Sequence, residues 1–296
     1  MPRPDLFLAT PQSDRLEQGL ADRFTLHRGV APDTTRAVVG GGTLQFAAAD
    51  MDRCPALEFI AIHGVGHDGV DLAAADARGI KVSTTPDVLT DDVADLAIGL
   101  WLAVERAIVA NDRVVREGGW RVPLARRASG RTIGIFGLGQ IGQAIARRAA
   151  PFAHEILYCA RSDKRGPWSR VADIATLARR SDVLFLAAPG GTETAGVVYA
   201  AVLDQLGARG VLVNIARGSL VDQAALLAAL TESRIAGAAL DVFADEPAVT
   251  GALRRLPHVV LSPHQGSATG EARAAMEAIV LAHLDAHFSG MASPPP

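Results

Sequence analysis

The chain has 296 residues, of which 29 are Lys or Arg and 32 are Asp or Glu, so its net charge is −3. A chain of this length buries a sizeable core, in one large domain or two of ordinary size. Its near-neutral charge excludes a global field that recruits nucleic acid or an anionic membrane, so no nucleic-acid partner is expected.

The cysteine content favours a reducing compartment, and the hydropathy argues against a signal peptide and a membrane span. Cys54 and Cys159 are the only cysteines, and they form neither a CxxC pair nor a secreted-type framework. The apolar run at residues 6–9 is too short for a signal peptide. The longest apolar stretch, VADLAIGLWLAVERAIVAND, contains Asp95 and Glu105, which argues against a membrane span. The sequence therefore predicts a soluble cytoplasmic protein without a membrane partner.

Short β-rich runs alternate with helical patterns from residue 5 to about residue 85. The runs DLFLAT, FTLHR, AVVGGG, FIAIHG and KVSTT are separated by patterns such as DRLEQGLADR and DLAAADARG. This alternation predicts a parallel sheet covered on both faces. A long helix follows, with Thr90 or Asp91 as its N-cap and apolar residues at helical spacing, and glycines end it near residues 116–120.

A second alternating series begins at residue 131. It contains RTIGIFG, a helix from Gln140 to Phe152, and then EILYCA, ADIATLARR, DVLFLAA, VLVNIA, QAALLAALTESR, AGAALDV and HVVLSP. A final helix, GEARAAMEAIVLAHLDAHF, is expected to pack on the first unit, and MASPPP to form a disordered tail. The chain thus contains two successive α/β units, of which the second is longer.

The segment TIGIFGLGQIGQAIARR carries a dinucleotide-binding fingerprint. Gly137, Gly139 and Gly142 follow a β-rich run and precede a helical pattern, which is the context that this fingerprint requires. The first glycine permits a tight turn, the second lets the backbone approach a pyrophosphate, and the third lets helix and strand pack. With Gln140 and Ile141 they form the predicted pyrophosphate site. The alternative is a glycine-rich turn without a ligand.

The segment YCARSDK, about 20 residues further on, indicates which cofactor is bound. An acidic residue at this point bonds the ribose 2′-hydroxyl of NAD, but this sequence has no carboxylate before Asp163. The guanidinium of Arg161 can bond a 2′-phosphate, and the hydroxyl of Ser162 adds a donor. Lys164 or Arg165 either adds positive charge or is a solvated loop residue. The sequence favours NADP(H), with NAD(H) as the alternative.

Three polar residues each follow an apolar strand pattern: Arg217, Glu246 and His264. Ligands of open α/β sheets bind outside the carboxyl ends of the strands, so these residues are expected to converge on the crevice of the phosphate loop. They would act there as anion clamp, partner carboxylate and general acid. Taken singly, each also has a structural explanation: a surface salt bridge, an exposed acid before Pro247, or a histidine that caps a turn.

The motifs GLGQIG, NIARG, DVFADEP and SPHQGS, in this order, resemble those of the D-2-hydroxyacid dehydrogenase family, and the likeness extends from about residue 36 to about residue 284. TTPDVLTDDVADLAIGLWLA and HGVGHDGVDLAAADARGI further resemble the glyoxylate/hydroxypyruvate reductase branch. The resemblance implies two doubly wound α/β domains. Residues 1–92 and 285–296 would form a flavodoxin-like substrate domain, and residues 93–284 a Rossmann dinucleotide-binding domain.

The resemblance also implies an NADPH-preferring reductase of a small 2-keto acid. His264 would protonate the carbonyl oxygen as hydride arrives from the nicotinamide, and Glu246 would accept from its ring. Arg217 would bind the substrate carboxylate, whose other side would be held by the backbone N–H groups of Val65 and Gly66. The alternatives are an aryl-pyruvate reductase of the same family and a non-enzymatic NAD(P)-sensing protein.

Further residues of the cofactor groove follow from the same resemblance. Asp241 would bond the nicotinamide carboxamide, and the groove would be lined by Ala188, Ile215, Ala216 and Gly266. Gln265 and the Gly190–Gly191 stretch depart from the family pattern, so packing and groove contacts there stay open. The relatives imply a homodimer that pairs through the long helix after residue 91.

A metal site is not expected. HGVGHDG offers His63, His67 and Asp68, but their spacing across a glycine-rich turn matches no specific ligand pattern.

Overall fold

The structure, a computed structural model, describes residues 3–289. The chain divides into two compact units. One comprises the residues up to Leu89 together with those from Thr269 onward, and the other comprises Thr90–Ala268. The predicted disordered tail lies outside the described residues.

The first unit contains a five-stranded sheet in which every pairing is parallel. Its strand order is β2-β1-β3-β4-β5, the flavodoxin-like order. The elements are β1 (Asp5–Leu8), α1 (Asp14–Ala21), β2 (Thr25–His27), β3 (Thr35–Gly41), α2 (Ala48–Asp52), β4 (Phe59–His63), α3 (Leu72–Ala77) and β5 (Lys81–Ser83).

Both faces of this sheet are apolar, which explains the near-continuous apolar strand patterns. Along β4, Phe59 and Ala61 belong to one buried cluster, and Ile60 and Ile62 belong to another on the opposite face. Side chains alternate between the two faces of a strand, so each cluster takes every second residue.

The second unit contains a seven-stranded parallel sheet of order β12-β11-β10-β9-β6-β7-β8, the Rossmann arrangement with one added strand. The fold prediction is thereby confirmed. The elements are α4 (Thr90–Glu105), α5 (Ile108–Arg116), β6 (Arg131–Phe136), α6 (Gln140–Ala149), β7 (Ala153–Cys159), β8 (Ser169–Arg170), α7 (Ile174–Arg180), β9 (Val183–Leu186), α8 (Ala200–Leu206), β10 (Val211–Asn214), α9 (Gln223–Thr231), β11 (Gly237–Leu240), α10 (Gly251–Arg254) and β12 (Val259–Leu261).

The last helix, α11 (Gly270–Ser289), belongs as a whole to the first unit. The predicted division at residues 284 and 285 cuts through this helix, whereas the compact units divide at residues 268 and 269. The physical reason is packing, because Val280 and Leu284 of α11 lie in the buried cluster that contains Leu6 of β1.

The predicted long helix after residue 90 is two helices in the structure. Ala107 adopts a left-handed conformation, with φ 50°, between α4 and α5. The carbonyl of Glu105 accepts a hydrogen bond from the N–H of Arg126 at 2.9 Å. This tertiary bond replaces the helical bond that would continue α4. The predicted helix from Gln140 also ends early, because Pro151 lies in a 3₁₀ turn, Ala150–Phe152.

The end of α4 buries an acidic side chain among two arginines. Glu105 is almost completely buried, and its carboxylate lies 3.3 Å from Arg126 Nε and 3.5 Å from Arg131 Nη2. Burial raises the pKa of Glu105, although both guanidinium groups act in the opposite direction. The ion pairs tie Arg126, in the segment after α5, and Arg131, the first residue of β6, to the end of α4. None of the helices in residues 3–289 is both long enough and apolar enough to span a membrane.

Candidate active site

The loops after six neighbouring strands of the second unit meet at one edge of its sheet, because all these strands are parallel. Most of the predicted site residues lie in these loops. They are Gly137 to Gly142 after β6, Arg161 and Ser162 after β7, Ala188 after β9, Ile215 to Arg217 after β10, Asp241 to Glu246 after β11, and His264 to Gly266 after β12.

The glycines of the phosphate loop fit a dinucleotide. Gly137 has φ 92°, and a Cβ there would lie 2.5 Å from the backbone N of Ala188. A Cβ at Gly142 would lie 2.1 Å from the carbonyl oxygen of Gly137. At Gly139, by contrast, a Cβ would meet no atom within 4 Å, and this N-cap residue provides no side chain to α6. The first amides of α6 therefore face a space that a pyrophosphate can occupy.

The predicted groove residues Ala188, Ile215 and Ala216 are buried at the ends of β9 and β10. Beyond Ala188, the hydroxyl of Thr194 donates to the carbonyl of Pro189 at 2.8 Å. The backbone N–H of Thr194 donates to the carbonyl of Gly191 at 3.1 Å, so the Gly190–Gly191 stretch forms a compact turn.

His264 and Glu246 form a hydrogen-bonded pair at this edge of the sheet. Nδ1 of His264 lies 2.7 Å from Oε2 of Glu246, and Oε1 of Glu246 accepts from the N–H of Phe243 at 2.9 Å. Burial raises the pKa of Glu246, but the hydrogen bonds from His264 and Phe243, with the charges of His264 and Arg217, outweigh it and lower the pKa below its ordinary value. Glu246 is therefore ionised at neutral pH and accepts a hydrogen bond from the Nδ1–H of His264.

The turn after β10 positions Arg217. Asn214, the buried last residue of β10, donates from Nδ2 to the carbonyl of Arg217 at 2.8 Å and accepts from the N–H of Ala216 at 3.1 Å. Nη1 of Arg217 donates to the carbonyl of Ala216 at 2.7 Å. The arginine side chain is thereby fixed near Glu246, close enough for its charge to act on that carboxylate.

The carboxylate of Asp241 holds the loop that carries His264. Oδ1 accepts from Ser262 Oγ at 2.5 Å and from the N–H of Gln265 at 2.7 Å, and Oδ2 accepts from the N–H of Gly266 at 2.9 Å. The N–H of His264 donates to the carbonyl of Asp241 at 2.8 Å. The side chain of Asp241 thus serves the His264 loop, a role beyond the predicted nicotinamide contact.

The comparison with known proteins decides the family. Residues 98–266 match the NAD binding domain of the D-isomer specific 2-hydroxyacid dehydrogenases. The chain belongs to this family. A hydroxyphenylpyruvate reductase of Plectranthus scutellarioides is 43% identical over 96% of both chains. A glyoxylate/hydroxypyruvate reductase of Arabidopsis thaliana is 44% identical, also over 96% of both.

A solved structure of an NADPH-dependent glyoxylate/hydroxypyruvate reductase from Sinorhizobium meliloti, in complex with NADP and malonate, superposes with a TM-score of 0.92. It is 41% identical and covers 97% of this chain and 94% of its own. The predictions of the family, of an NAD(P)-dependent oxidoreductase and of a nicotinamide dinucleotide cofactor are confirmed.

The remaining predicted residues of this dehydrogenase lie elsewhere. Val65 and Gly66 are in the loop after β4 of the first unit, where Val65 is exposed. Their role in carboxylate binding stays a prediction. His63 is buried, and its Nδ1 lies 3.0 Å from Gln12 Oε1. Within residues 3–289, no group of three or more His, Cys, Asp or Glu residues is arranged to hold a metal ion.

Two residues that position the site of this dehydrogenase were missed from the sequence. Asn214 orders the turn of Arg217, and Ser262 bonds the carboxylate of Asp241. Asn214 could have been identified from the sequence, because a polar residue at the end of the apolar run VLVN needs hydrogen-bond partners when the strand is buried. Gln265 fits the loop in two ways: its N–H bonds Asp241, and its Nε2 donates to the carbonyl of Pro263 at 2.9 Å.

Proposed function

We propose that this dehydrogenase is an NADPH-preferring reductase of small 2-keto acids such as glyoxylate or hydroxypyruvate, with His264 as its general acid. The observation that carries the proposal is the 2.7 Å contact between His264 Nδ1 and Glu246 Oε2. An ionised carboxylate only accepts hydrogen bonds, so Glu246 holds the proton on Nδ1. Nε2 is then the ring atom that holds and releases the proton of the reaction.

The roles of the other residues follow from their chemistry. Arg217 binds the carboxylate of the keto acid through the fork of its guanidinium and keeps the carbonyl carbon oriented. Nε2 of His264 donates its proton to the carbonyl oxygen as negative charge develops there. Glu246 stabilises the imidazolium before that transfer. The amides that follow Gly139 would hold the pyrophosphate of a bound dinucleotide, which would supply the hydride.

The preference for NADPH rests on the loop after β7. The chain offers Arg161 and Ser162 where an NAD-binding protein of this fold has an acidic residue. The side chain of Arg161 is 89% exposed, and its Nη1 lies 3.9 Å from Oε2 of the exposed Glu193. Such a surface pair is weak, so a 2′-phosphate can replace Glu193 as the partner of Arg161. The bound NADP of the Sinorhizobium meliloti relative supports the same assignment.

An aryl-substituted 2-keto acid is the second candidate substrate class. It is favoured by the name of the Plectranthus scutellarioides relative, which is 43% identical to this chain. The two candidates share the His264 chemistry and differ in the group attached to the keto carbon.

The test is a set of initial rates for NADPH and NADH oxidation with glyoxylate, hydroxypyruvate, pyruvate, phenylpyruvate and hydroxyphenylpyruvate. The substitution His264→Ala should lower kcat by about 10²- to 10⁴-fold while binding of NADPH, followed by its fluorescence, persists. His154→Ala is the matched control, because His154 is exposed and lies at the amino end of β7, the opposite edge of the sheet. Full activity of His264→Ala would overturn the assignment.

The protein further acts as a homodimer that pairs through the region of α4 and α5. Supporting this, α5 and the segment after it expose a row of large apolar side chains: Ile108, Val109, Val115, Trp120, Val122 and Leu124. Trp120 is 86% exposed, which is costly for a side chain of that size. Light scattering after size exclusion should report a dimer, and Trp120→Lys with Leu124→Lys should give monomers. A monomeric wild type would refute the dimer.

A further inference from the structure

The segment 160–170 carries one carboxylate among several cations. The cations are Arg161, Lys164, Arg165 and Arg170, and the carboxylate is Asp163. Asp163 lies two residues beyond the arginine proposed to bind the 2′-phosphate. An unpaired carboxylate in this loop would repel a 2′-phosphate and would accept a hydrogen bond from the 2′-hydroxyl of NAD. Asp163 therefore opposes the cofactor preference proposed above.

Arg170 engages this carboxylate. Nη1 of Arg170 donates to Oδ1 of Asp163 at 2.8 Å, while Nη2 donates to the carbonyls of Ala160 at 2.9 Å and Arg161 at 3.3 Å. One guanidinium thus holds both the acidic side chain and the backbone of the loop. The planar fork of arginine suits such a set of acceptors, whereas a lysine would offer a point charge.

The sheet anchors Arg170 at a fixed distance from the loop. Arg170 lies on the edge strand β8, in register with Tyr158 of β7. The far side of the loop is held by Tyr158, which is buried and whose hydroxyl accepts from the N–H of Lys164 at 2.9 Å. The backbone of residues 160–164 is therefore tied at both ends, and the side chain of Arg161 starts from an ordered position.

We propose that Arg170 is a positioning residue for NADP(H) specificity. Its guanidinium neutralises Asp163, which removes the charge that would repel a 2′-phosphate, and it fixes the carbonyls of Ala160 and Arg161. The inference rests on the proposed NADPH preference and extends it to a residue outside the phosphate-binding loop. It also explains how the chain tolerates an acid in this loop.

The test is a double-mutant cycle of Arg170→Met, Asp163→Asn and the combination, with kcat/KM measured for NADPH and NADH at a saturating keto acid. Arg170→Met should lower the NADPH-to-NADH ratio by about two- to fivefold, mainly through KM for NADPH, because Asp163 is then unpaired but remains exposed to solvent, which screens its charge. Adding Asp163→Asn to Arg170→Met should restore most of the ratio. Arg180→Met is the matched control, since it breaks a surface ion pair with Glu155 in the same unit.

A direct binding measurement complements the kinetics. Calorimetry with 2′,5′-ADP and with 5′-AMP compares ligands that differ in the 2′-phosphate. Arg170→Met should weaken the binding of 2′,5′-ADP more than the binding of 5′-AMP. Arg170→Lys, which keeps the charge but loses the contacts to the two carbonyls, should retain the part of the discrimination that comes from neutralising Asp163, and Arg170→Gln should lose that part. These two variants decide the question if Arg170→Met does not fold.

The outcomes separate this inference from the proposed function. A wild type that does not prefer NADPH overturns both the cofactor preference and the role of Arg170. A wild type that prefers NADPH, with an unchanged ratio in Arg170→Met and Arg170→Gln, overturns only the role of Arg170. A lowered ratio that Asp163→Asn fails to restore overturns neutralisation of Asp163 as the cause.

Discussion

Replacing Asp241 by asparagine tests whether the His264 loop depends on one buried carboxylate. Asp241 is only 1% exposed and accepts three hydrogen bonds from this loop. An asparagine oxygen placed at Oδ1 would keep the bonds from Ser262 and Gln265. Its NH₂ group would then face the N–H of Gly266, so one bond is lost and two donors oppose each other.

The magnitude follows from these contacts. An unsatisfied buried N–H costs about 1–3 kcal/mol, and the loss of charge from the two remaining bonds adds about 1 kcal/mol, which gives roughly 2–4 kcal/mol. For a unit of this size, each kcal/mol lowers Tm by about 2–4 °C. A displacement of His264 by about 1 Å would also lower kcat by up to about 10²-fold.

The assay is thermal unfolding together with steady-state kinetics, with Asp222→Asn as the matched control. Asp222 accepts from the N–H groups of Ala224 and Ala225 at 3.0 Å as the N-cap of α9, a task that asparagine performs equally well. Ser262→Ala removes a single hydrogen bond to Asp241, so its losses of Tm and kcat should lie between those of Asp222→Asn and Asp241→Asn. If Asp241→Asn unfolds within about 2 °C of the wild type and keeps kcat within about twofold, Asp241 does not hold the loop.

Three further changes test the electrostatics. The pKa of Glu246 in the folded protein lies below its ordinary value. Its contribution to stability is therefore full above the ordinary carboxylate pKa and is lost as the pH falls through the lowered pKa. Glu246→Gln should reduce this acid-dependent fall in the unfolding free energy, measured by denaturant unfolding. Burial, followed by the charge of Arg273, lowers the pKa of His63 in the folded protein. Its contribution to stability is therefore full above the ordinary pKa of 6.5 and declines as the pH falls toward the lowered pKa. His63→Gln should remove this pH dependence of the unfolding free energy, and an unchanged dependence would contradict the assignment. Glu105→Ala should cost about 3–5 kcal/mol in unfolding free energy, because it leaves Arg126 without its buried anion and Arg131 with only Asp182 at 4.0 Å. A loss below about 1 kcal/mol would refute this.

The alternation of strands and helices was predictable from local patterns, because parallel strands buried on both faces read as continuous apolar runs. The phosphate loop was predictable for a different reason. At Gly137 and Gly142 the neighbouring backbone leaves no room for a Cβ, so only glycine fits, and the glycine spacing therefore records the fold directly.

The break after α4 could not be read from the sequence. The residues around Ala107 continue the helical pattern, and the helix stops because the carbonyl of Glu105 bonds the N–H of Arg126, which lies 21 residues further along the chain. The packing of α11 on the first unit was predicted, but the residue at which this unit resumes was not, because the whole helix is held by a cluster that includes strands from the other end of the sequence. Tertiary contacts of this kind override local preference.

His264 shows why the site itself needed the structure. Its φ of 55° is uncommon for a residue with a side chain and persists only when the surroundings impose it. Here the N–H of His264 is bound to the carbonyl of Asp241, the N–H groups of the next two residues are bound to the carboxylate of Asp241, and the ring is bound to Glu246. The motifs DVFADEP and SPHQGS therefore work together: Asp241 fixes the backbone of the His264 loop, and Glu246 fixes the imidazole ring. Because separate residues do these two tasks, Asp241→Asn should lower both stability and kcat, whereas Glu246→Gln should act mainly on proton transfer and its pH dependence.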